Sequence, residues 1–166
     1  MSRGFVKEDD QEEIPMVPPR ADLPDGVTNY VTQVGMDELL FEKQELNNEK
    51  NHLTVSSDNE RRIAINHINA KLKSLNYRIS TAKIVDLTKQ PHHEVRFGAL
   101  ITLKVGNQTT LQQYQVVGVD EADFSKGKIS FTSPIAKLLT NKKVGDKAIL
   151  KLATEDRVFE IMKITY

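Results

Sequence analysis

The spacing of apolar residues changes twice along the chain, near residues 35 and 91, and divides it into three segments. Residues 1–34 have no apolar period. Four of the six prolines fall there, in IPMVPPRADLP. Proline removes a backbone donor and restricts its predecessor, so this stretch cannot propagate a helix or a central strand. It is expected to be an extended or disordered arm, unless Ile14, Met16, Val17 and Leu23 dock on the body or on a partner. Residues 35–90 carry a helical period. Leu39, Leu46 and Leu53 recur every seven residues in MDELLFEKQELNNEKNHL, and Ile65, Ile68, Leu72, Leu75, Ile79 and Ala82 step by 3, 4, 3, 4, 3. Steps of three and four give an a/d seam, so two helices are expected to form an antiparallel coiled-coil hairpin with its tip near 54–60. Asp58 or Ser57 would cap the second helix, and Glu60 would favour its positive end. Residues 91–166 switch to strand-like runs, FGALITLKV, TLQQYQVVG, GKISFTS, DKAILKLA and RVFEIMKITY, separated by Gly, Asn and Asp turns. PIAKLLTN reads as one short helix, capped by Ser133 with Pro134 at its first position. Five strands and one helix predict a compact C-terminal domain, and an α+β protein as a whole.

Composition adds limits. The 166 residues hold 23 Lys+Arg against 23 Asp+Glu, a net charge of zero that argues against nucleic-acid binding by bulk positive charge. The charges are unevenly spread: the first segment holds three basic and seven acidic residues, and the third eleven basic and eight acidic. Cysteine is absent, which removes disulfides, thiolate nucleophiles and Cys-based zinc sites. No apolar run reaches the ~20 residues of a membrane span, and the acidic N-terminus is unlike a signal peptide. A reducing cytoplasm is the expected setting, with no membrane partner.

The usual catalytic fingerprints are missing: there is no P-loop, dinucleotide-binding glycine motif, HExxH or GxSxG. His92–His93 point apart on an extended chain and read as linker. Asp120, Glu121 and Asp123 in VGVDEADFSKG lack the ligand alternation and pivotal glycine of a calcium loop, and read as a solvated β-turn. Lys137, Lys142 and Lys143 are too few for a nucleic-acid patch. The hairpin tip differs, because Asp58 and Glu60, with Glu49 on the other arm, put carboxylates at the end of a stiff rod. Such groups can share a magnesium ion when another macromolecule supplies the remaining ligands. The plainer alternative is that Asp58 caps the helix and Glu60 complements its dipole.

FGALITL, YQVVGVDEADFSKGKISFTSPIAKLL and KKVGDKAIL resemble, in order and spacing, the C-terminal part of the GreA/GreB transcription elongation factors. TQVGMDEL is similar to that family's T-x-x-G-x-x-x-L opening, and RISTAKIVD to the exit from its second helix. The resemblance implies a coiled-coil hairpin followed by an FKBP-like domain. It also implies binding to bacterial RNA polymerase as a monomeric accessory factor that is not itself an enzyme. The C-terminal domain would dock at the rim of the secondary channel, with Ser133, Pro134, Ile135 and Ala136 as the docking surface. The hairpin would carry Asp58 and Glu60 towards the polymerase's magnesium, with no cofactor of its own and only indirect contact with nascent RNA. Metal-activated water would then cut the 3′ end of a backtracked transcript.

Two departures separate this chain from the family pattern. The family's tip reads approximately G-D-L-S-E-N-A-E-Y, and here Val55 stands in place of the first acid while Asp58 falls on the second. The arms are also shorter, by about a heptad or more. Two versions follow: a factor that stimulates cleavage, and one that occupies the channel without cleaving, similar to the short-hairpin regulators of nucleoside diphosphate kinase. Two other classes compete. A prolyl isomerase of FKBP-like fold needs an aromatic-lined pocket, and this segment offers only Phe97, Tyr114, Phe124, Phe131, Phe159 and Tyr166. A structural coiled-coil adaptor predicts self-association through the Leu/Ile stripe, whereas an intramolecular hairpin predicts a monomer.

Overall fold

The computed structural model describes residues 14–166, so the part of the arm before Ile14 lies outside the described residues. Residues 14–29 contain no helix or strand, only a turn at Asp25–Gly26 closed by Val27 N–H donating to the Pro24 carbonyl. Of the four apolar arm residues, Val17 and Leu23 are half-buried, whereas Ile14 and Met16 are exposed.

Strand β1 (Tyr30–Val31) leads into α1 (Gln33–Asn51), a loop at 52–57, α2 (Asp58–Thr81) and strand β2 (Lys83–Ile84). Thr32 caps α1, its hydroxyl accepting from Gly35 N–H at 2.9 Å, so the helix starts ahead of the apolar pattern. Ser57 caps α2 by accepting from Glu60 N–H at 3.1 Å, which makes Asp58 the first helical residue. The two helices pack through Leu39, Leu46, Ile68, Leu72 and Leu75, flanked by Met36, Leu53 and Ile79. These are seam positions of the apolar repeat, and burying each aliphatic side chain contributes about 1.5–3 kcal/mol. β1 and β2 pair in parallel, Tyr30 opposite Lys83, so the segment before α1 is fastened to the segment after α2.

The C-terminal sheet has the order β5-β4-β3-β7-β6, from β3 (Leu100–Val105), β4 (Leu111–Val117), β5 (Lys128–Ser130), β6 (Lys147–Lys151) and β7 (Asp156–Thr165). β4 and β5 are parallel; the other neighbours are antiparallel, with a register shift between Thr102 and Leu103 where β3 meets β7. Alternation along β3 sends Ile101, Leu103 and Val105 to one face. There they join Val116, Ile129, Phe159 and Ile161, and α3 (Pro134–Leu139) adds Ala136 and Leu139. The result is an α+β protein with two long helices and a five-stranded sheet.

Candidate functional site at the helical tip and the domain junction

The tip is built by the Ser57 cap. Because Ser57 takes the cap position, Asp58 and Glu60 both stand in the first turn of α2, and both are exposed. Residues two apart on an α-helix point about 200° apart around its axis, so the two carboxylates diverge. Glu49 is exposed near the end of α1, and Val55 is exposed in the connecting loop. A 24-residue α2 is about 36 Å long, which sets these acids that far from β2 at the helix's other end.

At α3 the four expected docking residues divide. Ser133 is half-buried and its hydroxyl accepts from Ala136 N–H at 3.3 Å as the helix cap. Ala136 is fully buried, and Ile135 packs partly buried against the core. Only Pro134 of the four is exposed. His92 and His93 are exposed, and the His92 ring lies edge-on to Tyr166. Among the described residues no three His, Asp or Glu side chains gather as metal ligands, and no helix is long and apolar enough to cross a membrane.

The junction between the helix pair and the sheet corrects the reading of the acidic cluster. Asp120 and Glu121 are not solvated; their side chains are 7% and 3% exposed. Glu121 Oε2 accepts from the Thr32 hydroxyl at 2.6 Å and Oε1 from Lys128 Nζ at 3.0 Å. Thr32 thus caps α1 with its oxygen and donates its proton to the C-terminal domain. Gly35 follows from that contact, because a Cβ there would lie 2.6 Å from Glu121 Oε2. Gly118 has the same origin: a Cβ would sit 2.6 Å from the Tyr30 carbonyl oxygen.

Asp120 serves two arginines. Arg20 Nε donates to its Oδ1 at 2.9 Å, while Arg78 Nη1 stands 3.7 Å from Oδ2, close enough for ion pairing and too far for a hydrogen bond. Arg20 also forks onto Glu42 of α1, at 2.8 and 2.9 Å. Glu42, and after it Asp120, raise the affinity of the Arg20 guanidinium for its proton against the opposing effect of burial. Asn29, buried beside β1, donates to the Arg78 carbonyl at 3.0 Å and to the Thr81 hydroxyl at 3.2 Å. Only Asp123 of the acidic cluster behaves as a turn residue. Its carboxylate accepts from the hydroxyl and N–H of Ser125, which hold it below the ordinary carboxylate range.

Sequence reasoning overlooked Arg20, Glu42, Arg78 and Lys128 as partners of this cluster. Only Arg78 stands in a stretch the sequence singles out, RIST, which meets VDEAD here as TQVG does.

Fold and junction together define an α+β protein in which a long helix pair is latched to a five-stranded domain. The family model described as "Transcription elongation factor, GreA/GreB, C-term" matches residues 90–166, so that stretch is similar to the C-terminal part of those factors. Transcription elongation factor GreA of Hyphomonas neptunium is 37% identical over 99 residues, covering 60% of this chain and 63% of that protein. The corresponding factor of Vibrio cholerae is 38% identical over 98 residues, covering 58% and 62%. The chain therefore spans less than two thirds of the length of these relatives. A solved GreA/GreB factor from Nitrosomonas europaea overlays with a TM-score of 0.42 at 16% identity, over 90% of this chain and 100% of that one, too loosely to carry correspondences.

Proposed function

We propose that this chain is a cytoplasmic bacterial transcription elongation factor that acts on RNA polymerase and is not an enzyme by itself. The GreA/GreB domain at residues 90–166 and relatives named transcription elongation factor GreA support that class. In this reading the FKBP-like C-terminal domain docks at the rim of the secondary channel, with Pro134 at the exposed start of α3 in the contact. The helix pair enters the channel as a coiled-coil hairpin. The observation that carries the reading is the exposed pair Asp58 and Glu60 at the far end of α2, about 36 Å from its base. There they approach the polymerase's own magnesium.

The mode of action turns on the same residues. Directed about 200° apart, Asp58 and Glu60 do not chelate one ion together, which favours occupancy of the channel without cleavage over stimulated cleavage. Stalled, backtracked complexes of the cognate polymerase separate the two. Binding without RNA shortening supports occupancy. Shortening that is lost in Asp58→Ala and Glu60→Ala variants, with binding retained, supports cleavage. Failure to bind the polymerase at all would overturn both.

A further inference from the structure

The arm crosses the base of the helix pair at Arg20, whose guanidinium binds α1 through Glu42 and the C-terminal domain through Asp120. The next residue, Ala21, offers its carbonyl to Arg78 of α2. Arm, both helices and the C-terminal domain therefore meet on two arginines, an aspartate and the half-exposed Glu42. The side chains of Arg20, Arg78 and Asp120 are 18%, 10% and 7% exposed, so solvent screens this knot only partly. Apolar contact along the arm is partial: Val17 and Leu23 are half-buried. Ile14 and Met16 stand 89% and 93% exposed, and an open cleft of about 400 Å³ runs between arm, helices and the loop after β4. Prolines 15, 18, 19 and 24 restrict the free arm, which lowers the entropy lost when it is laid down.

We propose that the arm is an intramolecular strap, with Arg20 as the clasp that fixes the angle between the helix pair and the C-terminal domain. Without the clasp, the pair stays attached at its base through the Thr32–Glu121–Lys128 contacts and the Tyr30 ring against Phe97 and Phe131, which act as the hinge. Breaking the clasp then lets the pair swing. This proposal does not depend on polymerase being the partner.

The absence of cysteine makes the test direct. Spin labels on cysteines introduced at the exposed positions Asn51 and Lys151 of the full chain report the distance between α1's end and the sheet. The parent is expected to give one narrow distance distribution, and Arg20→Gln a broadened or shifted one with unchanged helical circular dichroism. Arg20→Lys, which keeps the charge but loses the fork, is expected to fall between them and serves if Arg20→Gln fails to fold. Distributions of either folded variant that superpose on the parent's would overturn the proposal.

Discussion

Gly35 carries no unusual backbone angle; a Cβ there would lie 2.6 Å from Glu121 Oε2, so the hydrogen-bonded carboxylate would have to shift. Gly35→Ala would push the Glu121 carboxylate off Thr32 and Lys128, at a cost of about 1–3 kcal/mol. Thermal melts should show the loss, and Glu121→Ala in the same chain should recover part of it, because the two changes share one contact. Additive losses would mean that Gly35 matters for another reason. Tyr166 gives a second residue-level prediction. Its hydroxyl donates to the Glu94 carbonyl at 2.7 Å and accepts from Arg96 N–H at 2.8 Å, and burial pushes its ionisation above the ordinary tyrosine range. A raised value in the folded state means the neutral phenol is favoured there. Its contribution is present below pH ~10 and fades as pH rises through the folded value. Tyr166→Phe should cost about 1 kcal/mol at neutral pH and remove that alkaline step from the stability profile. Residue-level roles of this kind were hidden in the sequence. Asp120 and Glu121 sit among residues that suit a turn, and the arginines, threonine and lysine that bury them lie as far as 100 positions away.

Elements were far more legible. The 3, 4 spacing of Ile68, Leu72, Leu75 and Ile79 lies along the helix contact, because a helix that buries one stripe must repeat that stripe. Five β-rich runs became five strands, and Ser133–Pro134 opens α3 because a capping hydroxyl and a proline at the first position suit a helix start. β1 and β2 were illegible: two-residue strands have no measurable period, and their parallel pairing spans the 51 residues from 32 to 82. Ile135 and Ala136 illustrate the same limit in reverse. The family resemblance put them at a docking surface, with packing on the sheet as the alternative for Ile135, and the helix they open turns Ala136 into the core. The seam predicts its own sensitivity. Leu75 is fully buried between the helices, so Leu75→Ala should cost about 2–5 kcal/mol in urea unfolding. A change below about 0.5 kcal/mol would show that the pair is not held by this stripe.

At the scale of the whole molecule, a lever and a base are joined by a small charged knot. In the proposed reading the helix pair sets the reach and the C-terminal domain supplies the surface that stays behind; Asp120 and Glu121 tie the two parts together. The length of α2 was readable from its apolar repeat, and the C-terminal likeness from residues 90–166; the junction was not, because it is a property of contacts between segments. The central claim is that the tip enters the polymerase while the base remains outside. An iron chelate attached at Val55→Cys, the chain's sole cysteine, generates radicals that cut only nearby polypeptide. Bound to an elongation complex of the cognate polymerase, it should cut the enzyme beside its catalytic magnesium. Cuts confined to the outer surface of a polymerase that still binds the labelled protein would contradict the account.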